Sequence, residues 1–163
     1  MAVLGISANS RVVGIAVIRE GSLLDCNVHY YKEQWSETKA ARILGCLKRY
    51  HRLHPITKAA IAIPHEHHQN KETKALIALI QGHCLQKGIP LSACQPEAFD
   101  YLHQKAKAKK KAMMLRLTEH YPELIPLHWK ELRNKRRYYF KLFEAVAVAR
   151  LLSQQGNGNH AIE

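Results

Sequence analysis

At 163 residues and 47% hydrophobic content, the chain has the composition of a globular protein and the length for one domain with a real core. No apolar run approaches the roughly 20 residues that cross a bilayer, and the N-terminus enters a strand pattern with no leader-like basic and apolar regions, so a membrane partner is excluded and a cytoplasmic location is expected. Lys and Arg number 25 against 13 Asp and Glu, a net charge of +12 that calls for an anionic partner, most often nucleic acid.

Residues 3–18 hold two apolar runs separated by Ala8, Asn9 and Ser10, a polar interval of turn formers, and read as two strands joined by a tight turn. The first run ends in Ser7, at the strand end where a functional side chain would be presented. Gly21 closes the second strand, and residues 22–31 read as a third, completing an antiparallel meander. From Ser36 the period becomes helical. Ser36 is an N-cap, Ala40, Ile43, Leu44, Leu47 and Tyr50 share a face, and Lys39, Arg42, Lys48, Arg49 and Arg52 are expected on the outer face. This helix should stop before Pro55. Residues 57–63 read as a short buried parallel strand broken by Pro64. Asn70 opens a second helix whose apolar residues Ala75, Leu76, Leu79, Ile80 and Leu85 keep helical spacing up to Gly88, and 89–95 is another brief strand. Strand, helix, strand, helix after a meander predicts an α/β fold with a mixed sheet and helices on both faces.

Residues 96–103 read as a short helix with Pro96 in its first turn. Lys105, Lys107, Lys109, Lys110 and Lys111 then crowd like charges, which are solvated or frayed at a helix start unless a polyanion neutralises them. Pro122 and Pro126 punctuate a compact loop with Trp129 packed inward. The last helix is expected from about Arg133, strongly apolar, with small residues that permit close approach to the sheet. A tail from Gly156 onward has no reason to order, leaving 1–155 as a single domain. Cys26, Cys46, Cys84 and Cys94 show no C-x-x-C spacing and each lies in an apolar segment, so free core thiols are expected.

The stretch Gly5-Ile6-Ser7-Ala8-Asn9-Ser10, with Gly14 following, resembles the opening hairpin of the RuvC and YqgF resolvase group of the ribonuclease H-like superfamily. In that group the frame reads Gly-Ile-Asp-Pro-Gly-Ser-x-x-x-Gly, and its Asp is a ligand of the catalytic metal. Ala62-Ile63-Pro64 and Gly88-Ile89-Pro90-Leu91 are similar to the YqgF pattern in the middle of the domain. Glu144-Ala145-Val146-Ala147-Val148-Ala149 is similar to the closing helix, whose acid completes the metal site. The resemblance implies a ribonuclease H-like fold over most of residues 2–153. It also implies that Ser7, Glu66, Lys141 and Glu144 mark the positions of the ancestral acidic site, Glu66 being the acid nearest the fourth strand.

Enzymes of the group gather three or four carboxylates around two magnesium ions about 4 Å apart. Here the set is one hydroxyl, an apolar strand end, one ammonium and one Glu, so no cofactor is expected, and magnesium or manganese enters only with an active nuclease. His65, Glu66 and His67 form a second candidate, an imidazole and carboxylate loop for a borderline metal, although a polar turn has the same spacing. Ser7 with Lys141 and a histidine fits the logic of an activated nucleophile or a phosphate-binding group, and the reading of Ser7 as a plain turn or cap residue is preferred to it. Phosphate contacts are assigned to Arg11, the five lysines of 105–111, Arg136 and Arg137, and Tyr30, Tyr31, Tyr138, Tyr139 and Phe140 divide between core and base stacking.

Three functions stand open on this reading. The first is a nucleic-acid-binding protein of RuvC type without two-metal hydrolysis, acting on structured or branched DNA or RNA. The second is a metal-dependent endonuclease or junction resolvase with a rearranged site. The third is an interaction subunit for an acidic protein. Resolvases of the group act as dimers, so a homodimer is implied by the resemblance.

Overall fold

The computed structural model describes residues 1–64, 66–95, 109–133 and 139–157, with Lys109, Gly156 and Asn157 described for their backbone alone. His65, Lys105, Lys107, Arg136, Arg137, Tyr138 and the helix expected over 96–103 lie outside the described residues. Three antiparallel strands, β1 (Ala2–Ala8), β2 (Val12–Arg19) and β3 (Ser22–Tyr30), form the expected meander. Asn9 makes its first turn by accepting the Arg11 and Val12 amides on Oδ1. Glu20 and Gly21 make the second, both at positive φ, as a two-residue hairpin turn requires. Helix α1 (Glu37–Leu53) is capped by the Ser36 hydroxyl and ends before Pro55. Strand β4 (Ile56–Ala62) pairs in parallel with β1, helix α2 (Lys71–Gln86) is capped by Asn70, and β5 (Leu91–Cys94) adds in parallel to β4. The sheet order is β3-β2-β1-β4-β5.

Alternation along the strands divides the core into two. Ala2, Leu4, Ile6, Val13, Ile15 and Val17 face α1 and α2. Val3, Ala16, Ile18, Ala60 and Ala62 face the last helix, α5 (Phe140–Asn157), which also receives Met113, Met114 and Leu117 from α3 (Lys109–His120). The expected tail boundary at Gly156 thus falls inside the last turn of α5. That helix lies close enough to the sheet that a Cβ on Gly5 would stand 2.0 Å from the Ala145 carbonyl oxygen, and one on Gly14 2.2 Å from that of Lys141. Glycine on the strands and alanine on the helix are what this approach needs.

Four expectations are corrected by tertiary contacts. Lys39, assigned to the outer face of α1, is 1% exposed. Its ammonium donates to the Ser10 and Glu33 carbonyl oxygens at 2.6 and 2.8 Å and stands 3.7 Å from the Glu72 carboxylate, so polar partners from three segments offset its burial. Leu85, assigned to the buried face of α2, is exposed, because Thr73, Leu76, Ile77, Ile80, His83 and Cys84 form the inward stripe. The segment after Tyr121 is a short 3-10 turn (Pro122–Leu124) running into α4 (Ile125–Arg133), because Pro126 sits in a helix first turn, where its missing N–H costs nothing. Trp129, expected inward, is exposed on that helix.

Between α1 and α2 the rings of His51 and His83 meet edge to face at 5.7 Å, with His51 Nδ1 and His83 Nε2 buried and unpartnered among the described residues. Burial, with the Lys87 charge beside both rings and Lys48 near His83, lowers both imidazole pKa values below the usual 6.5. The unfolded chain therefore binds protons that the folded chain refuses once the pH drops below 6.5, and stability falls from there towards the lower folded-state values. The urea midpoint is expected to be lower at pH 5.5 than at pH 7.5, and the difference should shrink in His83→Leu. An equal difference in parent and variant would remove the pair as its source.

Candidate nucleic-acid interface and the Glu144 cluster

Strands β1, β3, β4 and β5 run the same way, so Ala8, Tyr30, Ala62 and Cys94 end at one edge of the sheet. The turn carrying Arg11, the 3-10 turn of Glu66–His68 and the N-termini of α1 and α2 follow directly from these strand ends. The first turn of α5 lies over Gly14, whose register partner is Ser7. Three helix N-termini, each the positive end of its dipole, therefore gather at one end of the molecule.

The first turn of α5 is held from α4. Buried Glu131 accepts the Tyr139 amide at 2.8 Å, a carboxylate at a helix N-terminus, and the His128 ring meets Phe143 edge to face. On the α3 side, the Lys110 ammonium stands 4.7 Å over the Phe140 ring. The basic start of α3 thereby packs on the first turn of α5. Glu131 was not legible as a site residue, since an acid eight positions before its amide partner carries no spacing signal.

Ser7 and Glu144, 137 positions apart, meet: the Ser7 hydroxyl donates to Glu144 Oε1 at 3.1 Å, and the Lys141 ammonium donates to the same oxygen at 2.8 Å. Ala62, the register partner of Ser7 on β4, adds a methyl on the same face. Ser7 is wholly buried, so its oxygen is closed to an incoming electrophile. A magnesium-class cation takes several hard anionic oxygens, and a hydroxyl, a methyl, an ammonium and one carboxylate already bound to that ammonium do not fit such an ion. Glu66, His67 and His68 stand exposed beyond β4, with the two imidazoles 4.1 Å apart. Among the described residues no three His, Cys, Asp or Glu side chains group to hold a metal ion. All four cysteines are free thiols. Burial above all, then the Asp25 and Glu123 carboxylates, pushes Cys26 up to about 11, and burial raises Cys46, Cys84 and Cys94, so none is thiolate at neutral pH.

Arg11 and Lys111 are exposed, while Tyr31 and Phe140 belong to the core and Tyr30 is exposed at the end of β3. No helix among the described residues is long and apolar enough to cross a membrane.

Compared with solved structures, the chain matches Thermus thermophilus RuvC in complex with a Holliday junction substrate at a TM-score of 0.72, covering 96% of this chain and 97% of that one at 18% identity. The fold is that of RuvC. A second T. thermophilus RuvC structure gives a TM-score of 0.70 at 20% identity with the same coverage. No family model matches the chain, and no curated protein matches it in sequence. The RuvC-like architecture therefore extends over nearly the whole chain on strand order and helix placement, at an identity that speaks for the fold alone.

Proposed function

We propose that this chain is a nucleic-acid-binding protein of RuvC fold that engages structured or branched DNA or RNA at the sheet end described above, without two-metal hydrolysis. The observation that carries this is the double engagement of Glu144 Oε1 by Lys141 and Ser7, which satisfies the carboxylate internally where the resemblance puts metal-binding acids. A positive end remains, built from helix N-termini, Arg11 and the start of α3, on a chain of net charge +12. The solved RuvC complex supports the reading by showing a protein of this architecture with a four-way junction.

Gel shifts on single-stranded, duplex and four-way substrates test it. Binding is expected to weaken steeply with salt, by about a thousandfold between 50 and 200 mM for six phosphate contacts. No substrate should be cut when magnesium or manganese is added. Salt-independent binding, or metal-dependent cleavage abolished by Glu144→Gln, would overturn the reading.

A further inference from the structure

Helix α4 turns Leu127 inward together with two polar residues and leaves the larger part of its apolar surface outside. Glu131 is buried against the start of α5 and His128 lies against Phe143, while Ile125, Trp129 and Leu132 are 43%, 57% and 52% exposed. Their spacing of four and three residues puts them on one face, turned away from the side that carries Glu131. A three-residue apolar stripe centred on tryptophan is a surface that a soluble domain usually covers. Lys130 and Arg133 are exposed beside it on the same helix, and Lys111 is exposed on α3, which packs against α4.

We infer that this stripe is a stacking platform for unpaired bases, with Trp129 against a base face and Lys130 and Arg133 at the flanking phosphates. Charge selects this occupant: a second copy would bring another +12 to a basic surface, whereas a single strand brings an apolar ring and an anion together. The inference rests on the proposed function and deepens it, because it names the part of a branched substrate, its unstacked bases, that this surface takes.

The test compares the full chain with Trp129→Ala and Trp129→Phe on an oligothymidine strand and on a blunt duplex of equal length. Trp129→Ala is expected to weaken single-strand binding about 5- to 150-fold, with duplex binding within about twofold and Trp129→Phe recovering most of the loss. In a Trp35→Phe background the remaining tryptophan emission should be quenched by the single strand. Unchanged single-strand affinity in Trp129→Ala, or equal losses on strand and duplex, would overturn the platform. So would sedimentation showing that Trp129→Ala turns a dimer into a monomer, since the stripe would then be a self-interface. Binding of the parent to duplex or to a four-way junction with no contribution from Trp129 defeats this inference alone, whereas no binding to strand, duplex or four-way junction defeats the proposed function with it.

Discussion

Gly14→Ala is expected to cost about 3 kcal/mol or more and to lower the melting temperature by about 6–12 °C, and Gly5→Ala should behave alike. The added methyl in either variant would lie within 2.2 Å of a backbone carbonyl oxygen of α5, at Lys141 for Gly14 and at Ala145 for Gly5. Helix backbone packed on a sheet cannot swing aside as a side-chain tip does, so the N-terminal half of α5 must lift from the sheet and lose buried contacts. The effect reaches the candidate site, because Gly14 is the register partner of Ser7 and lies under Lys141. Lifting that turn separates the Ser7 hydroxyl from Glu144. Thermal melts of both variants, beside an exposed control such as Gly45→Ala, check the claim; a loss no larger than the control's would refute close helix-on-sheet packing.

The second large effect is expected from Lys141→Asp. The Lys141 to Glu144 pair is mostly buried, and breaking a buried pair costs about 3–5 kcal/mol; partial solvent access reduces this here to about 2–3 kcal/mol, or about 5–10 °C in melting temperature. The substitution also sets two carboxylates three residues apart on one helical face beside the Ser7 hydroxyl, a donor set that suits a hard divalent cation far better than the native one. Manganese or magnesium should restore the lost stability, by about 2.7 kcal/mol at a hundred times the dissociation constant, and should leave the parent unmoved. A parent protein stabilised by either cation, or a variant indifferent to both, would contradict the account of Glu144 as a carboxylate satisfied by Lys141.

Much of the architecture was legible because local chemistry and global fold agree along the chain. The Ser36 and Asn70 caps, the Gly21 hairpin and the breaks at Pro55 and Pro64 act within a few residues, and each is found where its chemistry placed it. Boundaries shifted where packing, rather than a cap, ends the element, as in β5, which is four residues long inside the seven expected. Lys39 and Leu85 were misplaced because helical period fixes relative angle around the axis and not which neighbour stands there. An ammonium can go inside once the Ser10 and Glu33 carbonyls and Glu72 surround it. Trp129 was misplaced for the complementary reason: Glu131 and His128, with Leu127, take the inward side of α4 through their partners on α5 and in the core, and Ile125, Trp129 and Leu132 are left outside.

By itself, then, the order of residues determined the meander, the alternating strands and helices and the excess of positive charge, and it named Ser7, Lys141 and Glu144, which meet, together with Glu66, which stands apart beyond β4. Only the tertiary structure decided that Ser7 and Glu144 touch, that one carboxylate oxygen takes both the hydroxyl and the Lys141 ammonium, and that the helix N-termini and basic residues collect at a single sheet end. Caps, turns and periodicity act between near neighbours, whereas a hydrogen bond across 137 positions exists only after strand register and the glycine-permitted seat of α5 have fixed both partners in space.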